Sequence, residues 1–89
     1  MIETTIVIVN KLGMHARASS KLVSLANKFN ANILLEKDAK SANAKSLMAV
    51  MMLVANKGSQ IKIMADGTDE KDAISQLSEL ITNKFGEKE

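Results

Sequence analysis

Side chains alternate between two sets from Ile2 to Val9, and most residues of this segment are β-branched, which is typical of a strand. The run from Asn10 to Gly13 is a turn signal that ends the predicted strand. From Ala16 to Phe29 the apolar positions follow helical spacing, and Asn30 is a plausible residue for the helix end. The first third of the chain is therefore predicted to form a strand, a turn and a helix.

Three further strands are predicted over Ala31–Glu36, Lys40–Asn43 and Ser59–Asp66, where alternation returns. The residues Lys37–Ala39 connect the first two of these strands as a hairpin. A short apolar helix is predicted from Leu47 to Leu53 between the last two strands.

The last two helices carry start and stop signals. Ser46 stands at the N-cap position of the helix over 47–53, and Thr68 or Asp69 is expected to cap the final helix. Gly86 marks the expected end of that helix. Four apolar residues form its predicted inner face: Ile74, Leu77, Ile81 and Phe85. The order β-α-β-β-α-β-α predicts an α+β fold, with an antiparallel sheet covered on one face by helices.

Composition narrows the class of protein. The length of 89 residues fits a single domain over residues 1–89, and 46% hydrophobic with 25% charged residues predicts an ordered globular chain. There is no cysteine and only one histidine, so a disulfide framework and a structural zinc site are both excluded. The longest apolar run, residues 47–55, is too short to span a bilayer. Because the first residues also lack a secretory signal pattern, a cytoplasmic location is expected.

The formal charge of +2 is unevenly distributed along the chain. Residues 11–45 hold seven bases and two acids, whereas residues 46–89 hold five bases and seven acids. A basic half can attract nucleic acid or an anionic protein surface. Phe29 and Phe85 are the only aromatic residues, which leaves no stacking platform for single-stranded nucleic acid. The charge pattern therefore favours a protein partner.

The most informative segment runs from Gly13 to Ser19, with His15 between the first strand and the first helix. The N–H groups of a first helical turn attract anions, and Arg17 adds donors that suit phosphate oxygens. A neutral imidazole beside them can attack a phosphoryl group and release it again. The alternative is that His15 is an ordinary surface or capping residue. A serine hydrolase is disfavoured, because no second histidine is available and Ser19 lies inside the helix.

Two runs of sequence resemble one family. Residues 11–19, Lys-Leu-Gly-Met-His-Ala-Arg-Ala-Ser, resemble the active-site signature of HPr, the histidine-containing phosphocarrier of the bacterial phosphotransferase system. Residues 43–51, Asn-Ala-Lys-Ser-Leu-Met-Ala-Val-Met, resemble the regulatory-serine signature of the same family. The resemblance covers essentially the whole chain. It implies an open-faced β-sandwich with a four-stranded antiparallel sheet and three helices, which agrees with the predicted element order.

The resemblance also implies a function. Enzyme I, charged from phosphoenolpyruvate, would phosphorylate Nδ1 of His15, and the carrier would donate the group to a protein of the enzyme IIA type. Arg17 would hold the phosphate in both steps. The carrier would be a stoichiometric intermediate and not a turnover enzyme, would need no bound metal or organic cofactor, and is expected to be a monomer.

One residue departs from the family pattern. Many members have proline after the active-site arginine, where this chain has Ala18. Alanine maintains a helix through its high propensity but is less rigid than proline in a first turn. The alanine form resembles a proteobacterial subset whose members often serve regulation and not bulk sugar import. The pathway downstream of His15 therefore stays open.

The second signature suggests regulation and docking. The resemblance implies that a dedicated kinase, the HPr kinase/phosphorylase, phosphorylates Ser46, although an N-cap role alone would also explain this serine. Leu47, Met48 and Met51 are candidate partner contacts, because a helix without a polar face is either buried or a contact surface. The alternative places all of them in the core. Two other functions stay open: a purely regulatory interaction module gated by phosphorylation, and a small acylphosphatase-like hydrolase.

Overall fold

The computed structural model describes residues 1–88, which form four strands and three helices. The elements in chain order are β1 (Ile2–Val7), α1 (Ala16–Ala26), β2 (Asn32–Lys37), β3 (Lys40–Asn43), α2 (Leu47–Met51), β4 (Gln60–Asp66) and α3 (Glu70–Thr82). A 3-10 turn over Lys84–Gly86 follows α3. The predicted element order is confirmed.

The strands form one sheet in the order β1-β4-β2-β3, and every neighbouring pair is antiparallel. The pair Ile6 and Ile61 aligns β1 with β4, and the pair Leu35 and Ile63 aligns β2 with β4. Because side chains alternate across a strand, this register places the buried residues of β2 and β4 on one face. The three helices cover that face, as expected for an open-faced β-sandwich.

The core lies between the sheet and the helices. The sheet contributes Ile33, Leu35, Ile61 and Ile63, all at most 1% exposed. The helices contribute residues at helical spacing that are fully buried: Ala18, Leu22 and Ala26 from α1, and Ala73, Leu77 and Ile81 from α3. Ile74, predicted on the inner face of α3, is only partly buried.

Several predicted boundaries were wrong, and among them α2 ends at Met51 and not at Leu53. The first strand ends at Val7 and not at Val9. The N–H of Ile8 donates to the Ser59 carbonyl and the Ile8 carbonyl accepts from the N–H of Gly58, so Ile8 pairs with the loop before β4. Helix α1 ends at Ala26 and not at Phe29, since the side-chain amide of Asn27 donates to the carbonyl of Val23. Asn30 is therefore not its cap.

Helix α3 ends at Thr82, so Phe85 does not extend its inner face as predicted. Phe85 is nevertheless 1% exposed, because left-handed backbone at Lys84, Phe85 and Gly86 (φ 59°, 55° and 79°) turns the ring into the core. The Nζ of Lys21 donates to the Phe85 carbonyl over 2.7 Å and ties this turn to α1. Residues after the turn are consequently directed toward the beginning of α1.

Within residues 1–88, no helix combines the length and the apolar character that crossing a membrane requires.

Candidate functional site

His15 lies between the first strand and the first helix, as the sequence predicted, and occupies the N-cap position of α1 with extended backbone at φ −68° and ψ 177°. Its carbonyl accepts the N–H of Ser19 over 2.8 Å, the first hydrogen bond of the helix. Its side chain caps nothing. The imidazole is therefore not used in forming the helix, and the reading of His15 as a capping side chain is wrong.

The loop before His15 is fixed by close packing. Gly13 has φ +66°, and a Cβ added there would lie 2.6 Å from the carbonyl oxygen of Ala55. The N–H of Met14 donates to that same oxygen over 2.8 Å. The hydroxyl of Ser19, which is fully buried, donates to the Met14 carbonyl over 2.9 Å. Ser19 thus positions the residue next to His15 and is not exposed as a nucleophile.

The imidazole of His15 is paired with the carboxylate of Glu87. Its Nε2 forms a hydrogen bond with Oε2 of Glu87, and the two side chains are 26% and 16% exposed. The other carboxylate oxygen, Oε1, accepts from Nδ2 of Asn10 over 2.8 Å. The hydrogen bond from His15, followed by the one from Asn10, holds the pKa of Glu87 below its ordinary value. Glu87 is therefore ionised at neutral pH and accepts hydrogen bonds only.

A shallow depression lies over His15, lined by Lys11, Leu12, His15, Arg17, Glu87 and Lys88. Three of these residues are cationic and one is anionic, so the depression favours an anion. Arg17 is exposed in the first turn of α1 and has neither a hydrogen bond nor an ion pair within the described chain. Its guanidinium is consequently available to an incoming phosphate group.

Ser46 is the N-cap of α2, as predicted. Its hydroxyl oxygen accepts the N–H of Ala49 over 3.4 Å, and the residue is half-buried. Helix α2 packs against α1, whose N-cap is His15. The second signature thus lies on the helix adjacent to α1.

The apolar helix α2 is only partly buried. Val50 is 1% exposed, whereas Leu47, Met48 and Met51 are 40%, 77% and 41% exposed. The alternative that all of them belong to the core is therefore wrong. Three further large apolar side chains are exposed: Leu12, Met52 and Val54.

Sequence reasoning missed Glu87 and the role of Asn10. Asn10 was assigned only to a turn, yet it is completely buried, and its Nδ2 also donates to the carbonyl of Gly13 over 2.7 Å. Glu87 lies 72 positions from His15, and a predicted α3 that continued through Phe85 gave no indication that the chain turns back. Only the left-handed turn after α3 brings the two residues together.

Comparisons with known proteins identify the family of the chain. A family model described as the PTS HPr component phosphorylation site matches residues 2–83. The phosphocarrier protein HPr of Xylella fastidiosa strain 9a5c is 46% identical over 87 residues, which is 98% of this chain and 98% of that protein. The chain belongs to the HPr family. It therefore functions as a phosphocarrier of the phosphotransferase system.

Solved HPr structures share the whole fold. A crystal structure of HPr-C-His from Thermoanaerobacter tengcongensis matches with a TM-score of 0.97 and 47% identity, and covers all of both chains. A crystal structure of an HPr dimer from the same organism matches with a TM-score of 0.79 and 48% identity, over 98% of this chain and 100% of that one. The open-faced β-sandwich expected from the sequence is confirmed for this HPr-family chain.

Proposed function

We propose that His15 is the residue that carries the phosphoryl group. Its Nδ1 lone pair attacks phosphorus on phosphorylated enzyme I, so that an Nδ1–P bond forms while the donor's bond to phosphorus breaks. The same bond breaks when a protein of the enzyme IIA type accepts the group. Phosphoenolpyruvate is the ultimate donor. The carrier acts in the cytoplasm as a monomer and as a stoichiometric intermediate.

The single observation that carries this proposal is the imidazole of His15 at the beginning of α1, which caps no helix and faces an anion-favouring depression. The N–H groups of a first helical turn and the helix dipole add positive potential at this end. The exposed Arg17 supplies a planar set of donors for the phosphate oxygens. These groups suit a histidine that must hold a phosphoryl group and release it.

The same geometry disfavours a serine hydrolase. Ser19 is buried and donates its hydroxyl hydrogen to the Met14 carbonyl, so it does not face the depression. The chain also has no second histidine to act as a general base for a serine. Transfer through His15 remains the chemistry that these residues support.

Leu47, Met48 and Met51 form part of the surface that contacts enzyme I and the acceptor protein. Their exposure of 40% or more supports this assignment, since large apolar side chains exposed together usually mark a contact surface. Methionine is flexible and polarisable, which suits a surface that must fit several partners. The basic residues of the chain segment 11–45 favour partners with acidic docking surfaces.

Ser46 is a regulatory phosphorylation site for an HPr kinase/phosphorylase. A phosphate at the beginning of α2 would not be expected to unfold the helix, because anions are favourable there. Its two negative charges would instead repel an acidic partner and reduce transfer at His15. The half-buried position of Ser46 beside the exposed side chains of α2 supports this effect.

The test is incubation with phosphoenolpyruvate, magnesium and enzyme I of a relative. The wild-type chain is expected to gain one acid-labile phosphoryl group, and His15→Ala is expected to gain none. Ser46→Ala is the matched control and should be phosphorylated as the wild type is. Phosphate that persists in His15→Ala would contradict the proposal.

A further inference from the structure

Methionine is the only sulfur-containing residue type of this chain, which has six methionines and no cysteine. An exposed thioether is open to two-electron oxidation to the sulfoxide, whereas a buried thioether is shielded by the atoms packed around it. The exposure of each methionine therefore decides which of them an oxidant can reach in the folded protein.

Three methionines lie together on one face of α2 and its C-cap. Met48, Met51 and Met52 are spaced at i, i+3 and i+4, which makes them neighbours on a helix surface. The N–H of Met52 donates to the Met48 carbonyl over 3.1 Å, so the helical geometry continues to Met52. Met48 and Met52 are 77% and 73% exposed, and Met51 is 41% exposed. These α2 methionines form one exposed cluster of thioethers.

The remaining methionines differ in burial or in position. Met14 is 7% exposed and belongs to the core, and Met64 in β4 is partly buried. Met1 is 73% exposed, as Met52 is, but its amino nitrogen lies 3.4 Å from Oε2 of Glu70 in the first turn of α3. It precedes β1, the sheet edge opposite β3, and α2 packs against β3. Met1 is thus an equally exposed thioether remote from α2.

We propose that the α2 methionines form a reversible oxidation site, at which sulfoxide formation weakens the binding of enzyme I and of the acceptor protein. This inference rests on the proposed function, which assigns Met48 and Met51 to the docking surface. The sulfur lone pair attacks one oxygen of a peroxide such as hydrogen peroxide, so that an S–O bond forms and the O–O bond breaks. Sulfur loses two electrons, and the second oxygen leaves as water. A methionine sulfoxide reductase reverses the change, because a dithiol is oxidised to a disulfide while the sulfoxide oxygen leaves as water.

The sulfoxide changes the docking surface without disturbing the core. It replaces a flexible apolar side chain with a polar one, which an apolar contact surface accommodates poorly. Because the α2 methionines are exposed, the added oxygen meets solvent in the free protein. Val50, which anchors α2 in the core, is buried and has no sulfur. Docking is therefore affected while the fold is retained.

The first test measures which sulfur atoms are oxidised in the folded protein. Hydrogen peroxide is added in graded amounts, and peptide mass spectrometry measures the sulfoxide at each methionine. Oxidation is expected in the order of exposure: Met48 and Met52 together with Met1, then Met51, and last Met64 and Met14. In urea, where the chain is unfolded, the rates should become similar. Equal rates in the folded chain, or earlier oxidation of Met14, would overturn the proposal.

The second test measures the affinity of enzyme I of a relative by calorimetry, before and after oxidation. The oxidised wild type should bind about fivefold or more weakly, the loss found when a contributing interface side chain is truncated. Methionine sulfoxide reductases with a dithiol should restore the affinity. Circular dichroism checks that the oxidised chain is folded. Unchanged affinity after complete oxidation of the α2 methionines would overturn the proposal.

A variant without the α2 methionines is the matched control. Met48→Leu, Met51→Leu and Met52→Leu are combined, because leucine has a similar volume and no sulfur. Whatever its affinity before treatment, hydrogen peroxide should leave that affinity unchanged, although Met1 still gains oxygen. A loss as large as in the wild type would place the effect at another methionine and overturn the proposal. Failure of the proposed function is recognised separately, by an untreated wild type that gains no phosphoryl group from enzyme I.

Discussion

Helices α1 and α2 begin in different ways, although we propose a phosphorylation site at the N-cap residue of each. The hydroxyl of Ser46 accepts the N–H of Ala49 and caps its own helix. The ring of His15 caps nothing and is bonded to a residue far along the chain, Glu87. The Ser46 side chain accepts an N–H group of the first turn of its helix. The His15 side chain leaves the N–H groups of its first turn accessible to a ligand. The difference separates a side chain that caps its own helix from one that does not.

The residues around the two helix starts also differ: they are polar and charged at α1 and apolar at α2. Polar contacts fix the surroundings of His15 through Asn10, Gly13 and Glu87, and cationic side chains line the depression above it. Exposed apolar side chains follow Ser46 instead, with Met48 at 77% exposure. Rigid placement suits bond formation, whereas a flexible apolar surface suits recognition of several partners. The proposed function thus assigns transfer to one helix start and docking to the neighbouring helix.

The largest effect is expected from a substitution that disrupts the packing of the loop before His15. Gly13→Ala forces a Cβ to within 2.6 Å of the Ala55 oxygen at a left-handed backbone position. The left-handed conformation alone costs about 1–2 kcal/mol for alanine, and the overlap adds to it. Gly58→Ala is the matched control, because Gly58 is also left-handed but has no atom within 4 Å of the added Cβ. Urea unfolding of both variants measures the difference, and equal losses would contradict the role of close packing.

The next effect concerns phosphate binding at the open helix start. Arg17→Ala should lower the rate of His15 phosphorylation by about 100-fold, as expected when one preorganised donor to a transition state is removed. Arg17→Lys retains the charge but loses the planar set of donors. Its rate of phosphorylation should lie between those of the wild type and Arg17→Ala. Lys28→Ala removes a charge from an exposed position just beyond α1 and should have little effect. A similar loss in both alanine variants would indicate general electrostatic attraction and not a specific contact.

A smaller effect on stability is expected when the N-cap serine of α2 is replaced. Ser46→Ala removes the cap and should lower the free energy of unfolding by about 1 kcal/mol. For a domain of this size that corresponds to a fall in Tm of about 4–8 °C. Ser46→Asp and Ser46→Asn both retain a cap and should restore most of the stability.

The same three variants separate capping from charge in transfer. Enzyme I should phosphorylate Ser46→Asp more slowly than Ser46→Asn, because the two differ by one negative charge near the docking side chains. Ser46→Ala should be phosphorylated at the wild-type rate although it is less stable. Equal rates for the aspartate and asparagine variants would argue against regulation through charge.

Local signals in the sequence were sufficient for the fold. Alternation and helical spacing predicted every strand and helix, and the residues Asp38 and Ala39 form the predicted hairpin turn with left-handed backbone. The boundaries were less predictable, because tertiary contacts decided them. Asn27 ends α1 early through its hydrogen bonds to the Val23 and Lys45 carbonyls, and Lys45 lies 18 residues away.

The site was predictable only where its residues are near each other in sequence. His15, Arg17 and the helix start lie within one segment, so their proximity followed from the helix itself. Glu87 reaches His15 only because Phe85 turns into the core, and no periodic pattern encodes that turn. Long-range pairs of this kind depend on how elements pack, which one sequence does not reveal.

The start of α3 offers a third case, in which the N-cap side chain is also not used for its own helix. Asp69 occupies this position without a side-chain cap, contrary to the expectation that it caps the helix. Its carboxylate accepts instead from the N–H groups of Asn30 and Ala31, over 2.7 and 2.8 Å. These hydrogen bonds, the one from Asn30 first, hold the pKa of Asp69 below its ordinary value of 3.8. An N-cap side chain that does not cap can therefore serve structure alone.

The smallest effect is expected in acid unfolding, which tests whether the start of α3 serves stability alone. Since the pKa of Asp69 is lower in the folded chain than in the unfolded chain, its contribution to stability is complete above about pH 4 and is lost as the pH falls through the folded value. Asp69→Asn should therefore have a lower urea midpoint than the wild type at pH 6. At pH 3 the two midpoints should differ less. Asp72→Asn removes the same charge from the first turn of α3 without breaking the contacts to Asn30 and Ala31, and should be nearly neutral at both values. Phosphorylation of His15 should be unchanged in either variant, and a loss of transfer in Asp69→Asn would show that the third helix start also belongs to the site.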